Sequence, residues 1–185
     1  MRLKRITFCL WLILVTGVIT TYLLFPEKLN PSFMEEVVVD HPFEILVIYY
    51  LILSFKGLMF IPATPFLLAG ILLFNPVEVF IVNMAGIMTS STIVYYFSKY
   101  LEFDVYFETK YSKYTNIIRA KLMDRELPII VLWSFLPPAP TDLIVYVAST
   151  LRINVLKCLL GIFIGETIIN AFYILSITML LKGSL

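Results

Sequence analysis

Long apolar stretches separated by short polar breaks dominate the chain. Residues 6–25, 77–97 and 156–181 are strongly apolar and carry at most two charged side chains each. A helix rises about 1.5 Å per residue, so each stretch is long enough to cross a hydrocarbon core of about 30 Å. The pattern therefore predicts three full transmembrane helices.

The first half of the chain also contains an apolar stretch that is interrupted. Residues 43–60 are long enough for one span, although Lys56 interrupts them, whereas residues 63–74 are too short to cross. Pro62 and Pro65 lie between these arms, and proline breaks a helix because it lacks a backbone donor. Broken backbone at membrane depth is tolerated only where protein or a wet cavity shields it. We therefore expect a re-entrant hairpin that enters from outside.

The second half repeats this arrangement. Residues 129–136 end at a tip that contains Pro137 and Pro140, and a short apolar run, 143–147, follows. Neither arm can span, so we expect a second re-entrant hairpin that enters from the cytoplasm. The expected fold is an all-α integral membrane protein. It has about three full transmembrane helices and two opposed re-entrant helical hairpins in an inverted repeat, with their tips meeting near the midplane.

On this interpretation the chain has five segments. They are a cytoplasmic N-terminus with the first transmembrane helix (1–25), an outer amphipathic linker (26–42), a hairpin plus span as repeat 1 (43–97), a cytoplasmic amphipathic loop (98–126) and a hairpin plus span as repeat 2 (127–185). The loop holds six Lys and Arg residues, and basic flanks stay inside. Its residues 116–127 have helical spacing. We expect a cytoplasmic N-terminus and a bacterial or archaeal plasma (inner) membrane.

Composition excludes several classes of protein. The chain is 60% hydrophobic and 15% charged, whereas soluble domains are about 45–50% apolar and about 25% charged. A cytosolic enzyme and a disordered tail are therefore excluded. The net charge of +1 provides no global field that would attract nucleic acid.

The chemistry-bearing residues do not indicate an enzyme. Cys9 and Cys158 lie far apart in apolar runs, and His41 is the single histidine, so no zinc site is expected. The sequence also lacks the nucleophile-elbow, zinc-protease and phosphate-loop motifs. We expect no enzyme activity, no metal and no cofactor.

Polar residues within the apolar stretches are the candidate site, because an ionisable group inside a bilayer is costly. Asp142 directly follows the second tip and could take up a proton or orient a head group; alternatively it caps a helix over 143–150. Glu166 lies in the last span, and Asn170 is one turn on, on the same face. The alternative role for Glu166 is a neutral, hydrogen-bonded contact between helices.

Two lysines and the hairpin tips complete the candidates. Lys56 could attract a lipid phosphate; alternatively it snorkels or pairs with a buried acid such as Glu166. Lys99 ends the second span and suits anionic head groups, with snorkelling as the alternative. The residues expected to line the meeting place of the tips are Pro62, Thr64, Pro65, Pro137, Pro140 and Thr141. The two threonine hydroxyls could also satisfy local backbone.

Four short motifs follow one another along residues 50–173. They are Pro62-x-x-Pro65-x-x-x-x-Gly70 with Asn75-Pro76; Gly86, Ser90, Tyr95 and Lys99; Pro137-x-x-Pro140-x-Asp142-Leu143; and Gly161 with Gly165. In this order and spacing they resemble the DedA superfamily of VTT-domain membrane proteins, also called SNARE-associated Golgi proteins. The chain departs from that pattern at Ser134, where the family often has an arginine, and at the first tip, which lacks the glutamate of DedA proteins.

The resemblance implies two facing re-entrant hairpins and a role in moving lipids between leaflets. Eukaryotic members of the family look like phospholipid scramblases. Bacterial members are implicated in recycling undecaprenyl phosphate or other phospholipids and in proton-dependent membrane homeostasis.

The preferred hypothesis is a flippase-like or scramblase-like lipid transporter. It would move phospholipid or polyprenyl phosphate through a polar groove between the hairpins. One alternative is a proton- or ion-coupled small-solute transporter that uses Asp142 and Glu166, and another is a non-transporting assembly factor. The expected partners are protons and membrane lipids, including anionic lipids or polyprenyl phosphate. The sequence does not decide whether the protein forms a homo-oligomer. Nucleic acid is not expected as a partner.

Overall fold

A computed structural model describes most of the chain beyond its first forty residues. The described residues are 41–59, 61–122, 125–136 and 140–183, together with Ile6, Ile13, Thr16 and Thr20. They form helices and short connections, and within these ranges no strand occurs. The expected first transmembrane helix lies outside the described residues, apart from those four, which are helical. Most of the outer linker and Pro137 in the second tip also lie outside them.

The helices are named in chain order within these ranges. They are α1 (Pro42–Phe55), followed by a 3-10 turn (Lys56–Met59), α2 (Thr64–Leu73), α3 (Pro76–Tyr100), α4 (Phe103–Lys110), α5 (Ser112–Leu122), α6 (Glu126–Phe135), α7 (Thr141–Thr150) and α8 (Val155–Gly183). The all-α fold expected from the sequence is thus confirmed for the part of the chain that the structure describes.

Three helical segments are long and apolar enough to cross a membrane. They are Pro42–Met59, Pro76–Tyr100 and Val155–Leu181. The second and third confirm two of the predicted spans. The first was assigned to a hairpin arm from its sequence, because a proline break and the short run 63–74 follow it; by length and composition it is also a candidate span. With three such helices the chain is an integral membrane protein.

Helix α3 begins where the sequence places a turn. Asn75 precedes it, and the Asn75 backbone N–H donates a hydrogen bond to the Glu78 carboxylate at 3.2 Å. Pro76 occupies the first helical position, where its missing N–H leaves no helical bond unmade. This capping arrangement fixes the start of α3 directly after α2.

The charged segment between the spans is more helical than its sequence suggests. A single surface helix over 116–127 was expected, but α5 begins earlier and the end of that range belongs to α6. Asp104 and Glu108, both on α4, form ion pairs with Arg152, at 2.9 and 2.8 Å. Arg119 on α5 pairs with Glu108 at 3.3 Å. Acidic residues of α4 therefore bind one arginine on α5 and another that follows α7.

Two close helix contacts join α1 and its turn to α3. At the first, an added Cβ on Gly86 would lie 2.5 Å from Cβ of Leu53. One turn further on, an added Cβ on Gly57 would overlap the Ser90 hydroxyl. Small residues of this kind let membrane helices approach closely. The contact of α1 and its turn with α3 therefore depends on one glycine at each crossing point.

The same pair of contacts recurs between α6 and α8. An added Cβ on Gly161 would lie 2.7 Å from Cγ2 of Ile130, and one on Gly165 would lie 2.7 Å from Cβ of Ser134. Each half of the chain thus packs a shorter segment on its long helix through two contacts that are one turn apart. The second contact in each half pairs a glycine with a serine. In the first half Gly57 of the shorter segment meets Ser90 of the long helix, and in the second half Ser134 of the shorter segment meets Gly165 of the long helix.

Helices α2 and α7 pack at opposite ends of the pair formed by α3 and α8. In α2, Leu67 belongs to a buried cluster with Val79 and Ile174, at the start of α3 and late in α8. In α7, Val145 belongs to a second cluster, with Val94 late in α3 and Cys158 early in α8. Helices α3 and α8 therefore run antiparallel, and α2 and α7 extend away from each other along them.

Candidate functional site

A buried ion pair joins the two halves of the chain. Lys56 is the first residue of the 3-10 turn after α1, and Asp142 lies in the first turn of α7. Their Nζ and Oδ2 atoms are 2.6 Å apart, and the two side chains are 1% and 2% exposed. Lys56 therefore has a buried acid as partner, as one alternative predicted, but that acid is Asp142 rather than Glu166.

The interpretation of Asp142 as a helix cap is wrong. Helix α7 begins at Thr141, with Pro140 at the N-cap position, so Asp142 already lies inside the first turn. Its second oxygen, Oδ1, accepts a hydrogen bond from Ser90 Oγ at 3.1 Å. The Gly57 N–H in turn donates to the Ser90 hydroxyl at 3.2 Å. The carboxylate thus serves tertiary contacts with the turn after α1 and with α3.

A second polar group surrounds Glu166 on α8. The Thr141 hydroxyl donates a hydrogen bond to one carboxylate oxygen, and Asn170 Nδ2 donates to the other at 2.8 Å. Asn170 Nδ2 also contacts the backbone oxygen of Glu166 at 2.8 Å. The predicted sharing of one face by Glu166 and Asn170 is confirmed. Thr141 bonds to this carboxylate rather than to local backbone.

Hydrogen bonds continue from Asn170 into the first half of the chain. Asn83 on α3 donates from Nδ2 to Oδ1 of Asn170. The Tyr49 hydroxyl on α1 contacts Asn83 Oδ1 at 3.4 Å and the backbone oxygen of Phe66 on α2 at 3.1 Å. Since every member has a partner, this buried chain satisfies the polar groups that five helices bring together.

A small cleft opens beside this network. Its internal volume is about 30 Å³, which is room for one or two water molecules. Its buried polar lining consists of Asn83, Ser134, Thr141, Glu166 and Asn170. Pro62 and Leu136 also line it and are exposed. The cleft therefore has a polar floor and an apolar rim.

Both proline breaks contribute to this cleft. Pro62, Ala63 and Thr64 line it from the first break, and Leu136 and Thr141 line it from the second. Thr64 and Thr141 are the first residues of α2 and α7, so both of these helices begin at the cleft. Pro62, Thr64 and Thr141, which were expected where the tips meet, all line this cleft.

Other expected site residues lie apart from the cleft. Pro65 is exposed on α2, and Pro140 is partly buried as the residue before α7. Lys99 lies nine residues beyond Ser90, about 13 Å further along α3. Its ammonium is exposed and stands 5.2 Å from the centre of the Tyr95 ring. Lys99 is therefore separate from the buried network.

Sequence reasoning missed four residues of the site. Tyr49, Asn83, Ser90 and Ser134 were not among the expected site residues. Asn83 and Ser90 are two turns apart on one face of α3, which is a signal that both could meet the same neighbours. Ser134 is 3% exposed, and its hydroxyl has no hydrogen-bond partner among the described residues. The one sequence signal at Ser134 is its place in the family pattern, where an arginine is frequent; its neighbours along the chain give none.

The polar residues around the cleft are mostly amides and hydroxyls. Among the described residues, no group of three or more His, Cys, Asp and Glu side chains could hold a metal ion. Cys158 is a buried free thiol in the core. The cleft is lined by the carboxyl group of Glu166, two amides and several hydroxyl groups.

Comparison with known proteins identifies one family. The family model described as the VTT domain matches residues 61–179, which include Asn83, Asp142 and Glu166 of the buried network but not Tyr49 and Lys56. No curated protein and no solved structure matches the chain.

Proposed function

Because the chain belongs to the VTT-domain family of membrane proteins, we propose that it moves lipid between the two leaflets of its membrane. The observation that carries this proposal is the cleft with its polar floor and apolar rim. A lipid has the same division, since its head group needs polar partners and its chains need apolar surface. The head group would contact the floor while the chains stay against the rim and the bilayer.

We further propose that the two proline breaks are the tips of re-entrant hairpins. Each short helix that follows a break is ten residues long, about 15 Å, which is too short to cross. Helices α2 and α7 both begin at the cleft and extend in opposite directions along α3 and α8. Opposed hairpins with tips at mid-depth would produce this arrangement.

The recurring contacts support an inverted repeat. The contacts of α1 and its turn with α3 match those of α6 with α8, with a small residue at each crossing point. Under this proposal the first half enters the membrane from outside and the second from the cytoplasm. The basic segment 98–126 then faces the cytoplasm of a plasma membrane, and Lys99 lies among lipid head groups.

The cleft volume bears on the alternative transport hypothesis. The cleft is open on one side, and its internal volume of about 30 Å³ holds only a small part of any ligand. A lipid needs only part of its head group to enter, because the rest can lie along the exposed rim. The apolar rim beside the polar floor is the feature that supports a lipid over a small polar solute.

Reconstitution of the full chain into vesicles tests the proposal. Vesicles containing a fluorescent acyl-labelled phospholipid are treated with a membrane-impermeant quencher. We expect quenching to extend to inner-leaflet lipid when the protein is present, whereas protein-free vesicles lose the outer-leaflet signal alone. Equal quenching with and without protein, for both phospholipid and polyprenyl phosphate, would refute lipid transport.

A pair of variants ties the transport to the cleft. Thr64→Phe adds bulk at the start of α2, where the cleft is lined, and we expect it to slow lipid movement. Ala69→Phe adds a ring on the exposed surface of the same helix and serves as the control. Equal rates of lipid movement for Thr64→Phe and Ala69→Phe would show that lipid does not pass through the cleft.

A further inference from the structure

Helices α4 and α5 lie at the end of the molecule where one span ends and another begins. Helix α3 ends at Tyr100 and α8 begins at Val155, so the surface of the membrane lies near these residues. The ring of Phe103 on α4 contacts the ring of Tyr146 on α7, with their centres 6.2 Å apart. With 8 and 11 residues, α4 and α5 are too short to cross a bilayer. Their exposed residues therefore lie near the level of the lipid head groups.

The two acidic residues of α4 are bound by arginines. Asp104 and Glu108 are one turn apart, and both pair with Arg152, at 2.9 and 2.8 Å. Glu108 also pairs with Arg119 on α5 at 3.3 Å. Arg119 in addition donates from Nε to the backbone oxygen of Leu151, directly after α7, at 3.3 Å. These contacts attach α4 and α5 to the end of α7 and neutralise both acids.

The exposed side of α4 and α5 combines lysine with tyrosine and aliphatic side chains. Lys110 and Lys113 are exposed, and among the described residues no acid forms a salt bridge with either. On α4, Tyr106 and Lys110 are one turn apart, on the side opposite Asp104. The Lys110 ammonium donates to the Tyr106 hydroxyl at 3.0 Å and lies 5.6 Å from the centre of the Tyr111 ring. The lysine face, as we name it, consists of Val105, Tyr106, Lys110, Tyr111, Lys113 and Ile117.

The residue types of the lysine face match the surface of a bilayer that contains anionic lipid. Helices that lie in the membrane interface carry Lys or Arg beside aromatic and aliphatic side chains, and they bind anionic lipids most strongly. Tyrosine is enriched at the head-group level because its ring is apolar and its hydroxyl is polar. Lysine stems lie along apolar surface while their ammonium groups reach charged groups in the water layer. Since the arginines neutralise both acids of α4, the charge that remains on this face is positive and complements an anionic leaflet.

We propose that the lysine face binds the anionic leaflet beside it, with Lys110 and Lys113 at lipid phosphates and with Tyr106, Tyr111 and Ile117 among the first carbons of the acyl chains. These lipids form a docking surface and are not the transported substrate. The face lies at the end of α7, whereas the cleft lies at its start, about 15 Å away. The proposal therefore goes beyond lipid transport and does not depend on it. Because the arginine contacts attach α4 and α5 to the end of α7, the bound leaflet also sets the depth of that end in the membrane.

The depth of a fluorescent label on the lysine face gives the first test. In a background with Cys9 and Cys158 replaced by alanine, Ile117→Cys carries the label, because the side chain of Ile117 is exposed. The full chain is reconstituted into vesicles of choline phospholipid, with or without an anionic glycerol phospholipid. Quenching by a nitroxide-labelled lipid is compared with quenching by acrylamide in the water. We expect the nitroxide lipid to quench more strongly, and acrylamide more weakly, in the anionic vesicles. Stronger quenching by acrylamide than by the nitroxide lipid in both kinds of vesicle would overturn the proposal.

Removal of single lysines gives the second test, with the same label and the same anionic vesicles. Lys113→Gln should lower the ratio of bound to unbound lysine face about fivefold, and Lys110→Gln in addition should lower it about fivefold again. Lys157→Gln is the matched control, since it removes one exposed lysine at the same end of the molecule that already pairs with Glu126. We expect this control to leave the quenching unchanged. Equal effects of Lys113→Gln and Lys157→Gln would overturn the proposal.

The same measurements separate the other occupants of this face. Protection of the label from both quenchers, together with a cross-linked dimer formed through Ile117→Cys, would indicate a second copy of the chain and overturn the lipid surface. Equal quenching by the nitroxide lipid in both kinds of vesicle would show that apolar contact alone holds the face, and would overturn binding of anionic lipid. If no lipid moves between leaflets but the quenching follows the anionic lipid, the proposed function fails and the docking surface stands.

Discussion

The Lys56 ammonium lies 2.6 Å from Oδ2 of Asp142, although 86 residues separate them along the chain. One residue belongs to the turn after α1 and the other to the first turn of α7. Both side chains are almost completely buried. The contact therefore joins the two proline-broken regions of the molecule through a pair of charges that water does not reach.

Breaking this pair should destabilise the protein strongly. Either Lys56→Met or Asp142→Asn removes one charge of the pair and leaves the other charge buried without its partner. The free energy of unfolding should then fall by about 3–5 kcal/mol. Thermal unfolding in detergent measures the loss. The double variant Lys56→Met/Asp142→Asn should recover part of the stability, because no unpaired charge is left behind.

A second ion pair provides the control for that experiment. Lys157 and Glu126 are 3.2 Å apart, but the lysine side chain is 57% exposed. An exposed pair of this kind contributes about 0–1 kcal/mol, so Lys157→Met should change the unfolding midpoint little. Equal losses from Lys56→Met and Lys157→Met would show that burial does not govern the Lys56 contact.

The contact between α1 and α3 should not tolerate a larger residue at Gly86. Gly86→Ala brings a methyl group to 2.5 Å from Cβ of Leu53, so one of the helices must shift. Overpacking of this kind costs about 1–3 kcal/mol. Ala85→Val, on the exposed side of the same helix, should cost less. Similar unfolding midpoints for the two variants would contradict the close approach.

Tyr95 should contribute to stability through its hydroxyl group. This hydroxyl donates to the backbone oxygen of Ile153 at 2.6 Å, and the residue is 2% exposed. Tyr95→Phe leaves a buried carbonyl without this donor and should cost about 1–3 kcal/mol. The neighbouring Tyr96 is 55% exposed, so Tyr96→Phe is the matched control. A larger loss from Tyr96→Phe would reverse the expected order.

The shared cleft predicts a cross-link between the two breaks. In a background with Cys9 and Cys158 replaced by alanine, Ala63→Cys and Leu136→Cys introduce one thiol from each break. A short bifunctional thiol reagent should join them. Leu72→Cys lies about 13 Å further along α2 than Ala63 and should not cross-link to Leu136→Cys. Cross-linking of the control pair alone would refute the shared cleft.

The sequence was sufficient to predict the helices around each proline break. The length of the uninterrupted apolar stretches predicted the spans that correspond to α3 and α8. A helix that crosses the bilayer needs a minimum number of consecutive apolar residues, and that number can be read from the sequence. The prolines likewise predicted that the chain breaks before α2 and α7. Residues 43–60 were assigned to a hairpin arm because of the proline break that follows them. The pattern registers the charge of Lys56 in this arm, but it does not show the distant Asp142 that pairs with it.

Partners in the site could not be predicted in the same way. Glu166 and Asn170 share one helix face, so their contact follows from spacing along the chain. Asn83 meets Asn170 from a different helix, 87 residues away, and that contact depends on how α3 and α8 pack. Ser134 lines the cleft for the same reason. The distances between helices depend on how their side chains pack. That packing involves residues far apart in the chain, so the local sequence pattern does not predict it.

The two crossing points with glycine opposite serine have a consequence for comparing the halves. At Gly57 and Ser90 the glycine belongs to the shorter segment, and at Ser134 and Gly165 it belongs to the long helix. A residue-by-residue alignment of one half with the other scores both positions as mismatches. An alignment of contact pairs scores them as identical, since what the geometry requires is one glycine per crossing, on either side. The structural similarity of the two halves is therefore better measured by comparing their contact pairs than by comparing residues at aligned positions.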